Sequence, residues 1–101
     1  MLCNFRTYNL AVTFYRSCEG IKARASLKDQ LMRACESIVL NLAEGSAKPT
    51  EKDRKRFYFL ALGSFREVEA CLHLLNHVHL ADLSNKLGSH LYRLCHPLQR
   101  Q

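Results

Sequence analysis

The side chains best suited to chemistry in this sequence are the cations of the segment from Lys48 to Arg56. Five of its nine residues are basic, and two acids stand between them. Exposed lysine and arginine bind phosphates, and the adjacent Phe57 and Tyr58 offer rings on which bases can stack. The segment predicts a nucleic-acid contact; the alternative is a solvated helix start whose charges pair locally. The predicted contact residues are Lys48, Lys52, Arg54, Lys55 and Arg56.

The overall charge points the same way. The chain of 101 residues has a formal net charge of +6 and a pI near 9.3. The first 50 residues carry seven basic and four acidic side chains, and the remainder carries eight and five, so the excess is spread over the fold. Such a surface suggests a polyanionic partner, although many basic proteins only gain solubility from it.

Metal and catalytic chemistry have weaker support. His73 and His77 are four residues apart on one helical face, with Glu69 nearby, a spacing that can hold a metal ion. Histidines near a helix end also interact favourably with its dipole, and we favour that interpretation. No Gly-x-Ser-x-Gly or glycine-rich phosphate loop occurs. We therefore predict no enzyme, no metal and no cofactor.

The five cysteines are odd in number and widely spaced, with no CxxC pair. This pattern favours free thiols packed as small apolar groups, in a reducing compartment. The longest apolar run, from Phe57 to Leu62, is far too short to span a bilayer, and no signal-peptide pattern begins the chain. We expect a soluble, cytoplasmic protein that makes no membrane contact, with residues 1–101 forming one domain.

Apolar spacing predicts four helices that position these residues. The first runs over about 5–19 and ends at Gly20. The second starts at a Ser26 cap and ends at Gly45, which is placed for a left-handed C-cap. The third, over about 51–77, has Thr50 as its N-cap, and Asp82 caps the fourth, which ends before Pro97. Short connections favour an antiparallel up-down-up-down four-helix bundle, an all-α fold.

Helical spacing also predicts the core faces. The first helix is expected to bury Tyr8, Ala11, Val12, Tyr15 and Cys18. The third is expected to bury Phe57, Leu60, Ala61, Ser64, Val68, Cys71, Leu72 and Leu75. The run from Phe57 to Leu62 is nevertheless apolar on every side, which exceeds the needs of a monomer. We therefore predict a second buried face between subunits, formed by Phe59, Leu62, Leu10 and Phe14.

Small and polar residues occupy unusual places in the two central helices. Gly63 lies in mid-helix at a cost of about 1 kcal/mol relative to alanine, which suggests close approach of the second helix, whose facing residues are also small. Ser64 beside it is also small. Asn41 is a middling helix former beside the apolar stripe, and Glu44 in the last turn opposes the helix dipole, so both residues are unfavourable choices at these positions. We favour structural bonds for both, with Glu44 pairing with an arginine such as Arg33 or Arg66 or capping the start of the third helix; a polar functional pocket is the alternative.

These residues carry a resemblance. Gln30-Leu31-x-Arg33-Ala34-x-x-Ser37-Ile38, Asn41-Leu42-Ala43-Glu44-Gly45 and Arg56-Phe57-x-x-x-Ala61-Leu62-Gly63-Ser64-x-x-Glu67 resemble the four-helix-bundle family encoded by intervening sequences in bacterial 23S rRNA genes. The match covers about residues 26 to 75. Its motif residues here are Asn41, Glu44, Gly45, Gly63, Ser64 and Glu67.

The resemblance implies a homopentamer of antiparallel bundles around a central channel, without enzymatic activity. It also implies kinship with the accessory protein of diversity-generating retroelements, a basic pentamer that binds nucleic acid and a reverse transcriptase. In such a ring, five copies of the basic segment, joined by Lys22, Arg24 and Lys28, would form a positive belt.

The predicted function is therefore a homo-oligomeric accessory protein that binds RNA or an RNA–DNA hybrid through phosphates, with little base reading. The alternative is a protein-interaction scaffold, for example for a reverse transcriptase.

Overall fold

The computed structural model describes residues 2–97, and its secondary structure is entirely helical. A short 3₁₀ turn, Leu2–Asn4, precedes four helices: α1 (Arg6–Glu19), α2 (Ala25–Ser46), α3 (Glu51–Leu74) and α4 (Ala81–Cys95). The largest interface joins α2 to α3, and α1 and α4 complete a single apolar core. The all-α, four-helix prediction is confirmed. Within residues 2–97, no helix combines the length and hydropathy that crossing a bilayer requires.

The ends of α3 follow local hydrogen-bonding rules. Thr50 is its N-cap, as predicted, because the Thr50 hydroxyl accepts a bond of 3.1 Å from the backbone N–H of Asp53. The helix stops at Leu74, three residues before the predicted end. Asn76 takes a left-handed backbone (φ 54°), and the N–H of His77 bonds the carbonyl of Leu72. This is a Schellman ending with asparagine in the position usually held by glycine.

Three other predicted helix ends are wrong. α2 starts at Ala25 and not after a Ser26 cap, because the N–H of Lys28 already bonds the carbonyl of Arg24. Asp82 lies inside the first turn of α4, whose N-cap is Leu80. Gly45 is not a left-handed cap: no glycine in residues 2–97 has a positive φ, and α2 continues through it to Ser46.

Gly45 instead permits close contact between α2 and α3. A Cβ built on it would lie 2.8 Å from the ring of Tyr58 and 3.0 Å from the Cβ of Phe57. Gly88 has the same function on α4, where a Cβ would lie 2.8 Å from the ring of Phe65. Gly63 differs, since a Cβ there would meet nothing within 4 Å. The prediction that Gly63 allows close packing on α2 is therefore wrong within one subunit.

The core faces are rotated from those predicted. α1 buries Thr7, Ala11, Phe14 and Cys18, while Tyr8, Val12 and Tyr15 are only half-buried. α3 buries Ala61, Phe65, Val68, Cys71 and Leu72. Phe65, absent from the predicted stripe, is 1% exposed, whereas the predicted core residue Leu60 is 53% exposed. The run from Phe57 to Leu62 is apolar on all sides, so its periodicity gave no single direction for the core.

We expect Gly45→Ala to lower the free energy of unfolding by about 1–3 kcal/mol, since the added methyl overpacks the α2–α3 contact. Gly20→Ala is the matched control, because Gly20 also stands at a helix end with negative φ. A Cβ built on Gly20 would lie 3.8 Å from the nearest atom, the carbonyl oxygen of Ser17, which is an ordinary contact distance. Urea unfolding of both variants measures the difference. Equal stability of the two variants would contradict a close-contact function for Gly45.

Candidate nucleic-acid interface

The basic segment from Lys48 to Arg56 is partly engaged in local contacts. The ammonium of Lys48 lies 3.2 Å from a carboxylate oxygen of Glu44 and 5.1 Å from the ring centre of Phe57. The guanidinium of Arg54 donates a bond of 3.0 Å to the carbonyl of Lys48. Lys48 and Arg54 therefore stabilise the α2–α3 connection. Glu44 forms its ion pair with Lys48, and not with the arginines Arg33 or Arg66 considered from the sequence.

The remaining cations of this segment differ in exposure. Lys52 and Arg56 are exposed, one turn apart on α3, and the Arg56 guanidinium lies 4.9 Å from the ring centre of Phe57. Lys55 is half-buried near Cys95, where burial raises the pKa of the Cys95 thiol and the Lys55 charge opposes that rise. Lys52 and Arg56 are consequently the members of the segment best placed to contact a phosphate.

Lys22, Arg24 and Lys28 do not join this segment. Lys22 and Arg24 precede α2 and Lys28 lies in its first turn, whereas Lys48 lies past the other end of this helix of 22 residues, about 33 Å away. Lys28 has a structural function, because its ammonium donates hydrogen bonds to the carbonyls of Cys18 (3.3 Å), Glu19 (2.8 Å) and Ile21. Within one subunit these three residues therefore do not extend the basic segment, and their contribution to a belt in a ring stays a prediction.

A second group of cations was missed in the sequence. Arg6, Lys86 and Arg93 surround His90: burial lowers the pKa of His90, and the charges of Arg93, Lys86 and Arg6 lower it further, in that order. Packing of α1 on α4 creates the group, with the hydroxyl of Thr7 3.3 Å from Nδ1 of His90. Because Arg6 is 80 residues from Lys86, no local run of charge could reveal it.

The polar residues of the motif link α2 to α3. The Asn41 amide donates to the carbonyl of Ser37 (2.9 Å) and to its hydroxyl (3.1 Å). That hydroxyl lies 2.7 Å from the hydroxyl of Ser64, so Ser37 and Ser64 pair across the helix contact while Asn41 bonds within α2. These bonds are of the kind expected for a structural function of Asn41. Glu67 is exposed, and its charge adds to burial in raising the pKa of the Cys71 thiol.

The four residues predicted for a subunit interface have different environments. Phe14 is 1% exposed in the core of its own subunit, so its assignment to an interface is wrong: α1 turns this side chain inward. Leu10 and Leu62 are half-buried against the same core. Phe59 is 47% exposed and meets His96 edge-on, with ring centres 5.6 Å apart.

The histidine and cysteine clusters do not assemble a metal site. Among residues 2–97, no three His, Cys, Asp or Glu side chains lie close enough to hold an ion. Glu69 pairs with Arg66 at 2.8 Å, and His77 packs edge-on against His79. Cys18, Cys35, Cys71 and Cys95 are buried free thiols, while Cys3 is exposed. The neighbouring Cys18 thiol raises the pKa of Cys35, and burial raises it further.

The fold and this surface define an all-helical protein of four packed helices with two groups of exposed cations. The model of the 23S rRNA-intervening sequence protein family matches residues 5–101, so the chain belongs to that family. The family predicted from the motif residues is confirmed. No curated protein and no solved structure matches the chain.

We expect Lys28→Met to destabilise the fold by about 1–2 kcal/mol, because the carbonyls at the end of α1 lose a charged donor. Lys22→Met removes the same charge from an exposed side chain and should change the free energy of unfolding by less than about 0.5 kcal/mol. Urea unfolding measures both, and a Lys28 variant as stable as the Lys22 variant would refute the capping function.

Proposed function

We propose that this protein is a non-enzymatic, homo-oligomeric accessory protein that binds RNA or an RNA–DNA hybrid through its phosphates. The observation that carries the proposal is the pair Lys52 and Arg56, exposed on the outer side of α3 without an ion-pair partner among residues 2–97. Cations of this kind are free to displace the counterions of a phosphate chain. The group around His90 adds a second positive area on the same subunit.

Pairs of contacts support an antiparallel bundle. Along α2 and α3, Gly45 meets Phe57 and Tyr58, while Ser37, two turns earlier in α2, meets Ser64, later in α3. Along α3 and α4, Phe65 meets Gly88 and the earlier Phe59 meets the later His96. In both helix pairs the contact order is reversed, which is the order that antiparallel neighbours produce.

The outer face of α3 is suited to self-association. Leu60, Gly63, Glu67, Ala70 and Leu74 follow alternating spacings of three and four residues, the a/d spacing of a helix–helix seam. Leu60 is 53% exposed and Leu74 is 73% exposed. Gly63 between them offers open space where a second helix can approach closely, which gives a reason for a glycine in mid-helix. The number of five subunits rests on the family resemblance.

Repetition of the subunit strengthens weak phosphate contacts. A single exposed lysine or arginine supplies little binding energy, but contacts made by several subunits to one strand add as linked binding events. Because α3 would place Lys52 and Arg56 beside the seam, each added subunit brings another pair of cations to the same surface. Such binding reads the phosphate chain and carries little base specificity.

We expect Lys52→Gln/Arg56→Gln to weaken binding of a single-stranded oligonucleotide by about tenfold and to lower the slope of log affinity against log salt by about 1 to 2. Lys22→Gln/Arg24→Gln removes the same two charge types at the other end of α2 and is the matched control. Fluorescence anisotropy from low to physiological salt measures both. Salt-independent affinity in the unchanged protein, or equal loss in both double variants, would reject this surface.

We expect Gly63→Lys to lower the mass of the assembly in solution, since a long charged side chain fills the space left for a second helix. The subunit itself should be no less stable, because lysine favours a helix more than glycine does. Thr13→Lys adds the same charge at an exposed position of α1 and should leave the mass unchanged. Light scattering of both variants, with urea unfolding, separates assembly from folding; an unchanged mass for Gly63→Lys would exclude this seam.

A scaffold function remains the second candidate, because Leu40 and Val78 are 59% and 69% exposed and lie outside the seam. Exposed apolar side chains of this size suit a protein partner. A reverse transcriptase as that partner stays a prediction. Its test is a pull-down with the reverse transcriptase encoded beside the gene, where one exists, using Leu40→Ser as the variant expected to lose the partner.

A further inference from the structure

The groove between α3 and α4 opens beside a cluster of aromatic rings. Its volume is about 440 Å³, and it lies over Phe65 and Gly88, with Arg66 on one side and Arg93 on the other. Because Gly88 has no Cβ, the Phe65 ring lies against the backbone of α4. This ring forms the apolar base of the groove. Tyr92 lines the groove and also belongs to the aromatic cluster, so the two features are one continuous surface.

The aromatic cluster consists of Phe59, Tyr92 and His96. The rings of Tyr92 and His96 are 4.3 Å apart at an angle of 39°, and Phe59 meets His96 edge-on at 5.6 Å. Tyr92 is 53% exposed and Phe59 47%. These contacts place the three rings side by side with two of them half-exposed, so a flat group can stack on a cluster that is already formed.

The net charge of the groove beside these rings is positive, because Arg66 and Arg93 line it with one acid, Glu69. Arg93 belongs to the group of cations around His90, and Arg66 is held only by an exposed ion pair with Glu69, which contributes little in water. A phosphate can therefore compete for Arg66.

We propose that the α3–α4 groove and the ring cluster of Tyr92 and His96 bind single-stranded nucleic acid, with a base stacked on the rings and flanking phosphates at Arg93 and Arg66. This deepens and rests on the proposed function, which needs phosphate contacts only. A duplex keeps its base faces stacked inside, so the rings favour an unpaired strand. Phe59 lies one turn before Gly63 on α3, so the ring cluster borders the seam on the side that faces α4.

The test compares two strands of equal length and charge, an oligo(dT) 15-mer and the same deoxyribose-phosphate chain without bases. The unchanged protein should bind the base-containing strand at least about fivefold more tightly, since stacking of one base is worth about 1–3 kcal/mol. Tyr92→Leu should remove that preference while leaving the affinity for the abasic strand unchanged. Tyr92→Phe retains the ring and should restore the preference.

Tyr15→Leu is the matched control, because Tyr15 is a half-buried ring beside an arginine on α1 and does not line the α3–α4 groove. Its preference should equal that of the unchanged protein. If Tyr92→Leu fails to fold by circular dichroism, His96→Ala tests the same cluster from the exposed end of α4.

The outcomes separate the two proposals. Steep salt dependence with equal affinity for both strands would overturn the stacking site and leave phosphate binding standing. Absence of binding to either strand would overturn both. A poly-glutamate peptide that displaces oligo(dT) at equal charge concentration would instead identify the groove as a site for acidic peptides, and would also overturn the stacking site.

Discussion

The distance between α2 and α3 is set where Gly45 meets the second turn of α3, and the other features of the subunit depend on that contact. With no Cβ at Gly45, Phe57 and Tyr58 can lie against the backbone of α2. The same approach brings Ser37 and Ser64 to 2.7 Å, so their hydroxyls satisfy each other in place of water. A wider spacing would break the bond between Ser37 and Ser64 and open the core around Leu42 and Ala61, which are now fully buried.

This close contact also determines what α3 presents outward. With Ala61, Phe65 and Val68 turned into the core, Leu60, Gly63 and Leu74 face away from it. On the neighbouring side, Phe59 is directed toward α4 and its terminal histidine. One helix thus supplies a core face and two outward faces of different chemistry, which explains why its sequence is apolar all round near Phe59 without being central in the bundle.

Much of this fold could be predicted from the sequence, because glycine, proline and Thr50 mark the connections and the family motif lies on the two central helices. Which face of α3 is buried could not be predicted, since the apolar residues from Phe57 to Leu62 fit several rotations of the helix about its axis equally well. For that reason Phe65 was absent from the predicted core. Gly45 illustrates another limit: a glycine near a helix end fits a left-handed cap or a close contact, and only the position of α3 decides between them.

The charged residues of the candidate site could be predicted only in part from the sequence. A run such as Lys48 to Arg56 is visible, but its pairing is not, and here Lys48 and Arg54 serve the connection itself. Cations that converge from distant segments, as Arg6 and Lys86 do at His90, leave no local signal. The burial of the cysteines has a practical consequence. Cys3 is exposed, and the other four thiols are buried in the core. A thiol reagent therefore labels Cys3 at once and labels the others only when the bundle opens. The rate of that slower labelling measures the rate of local opening of the bundle.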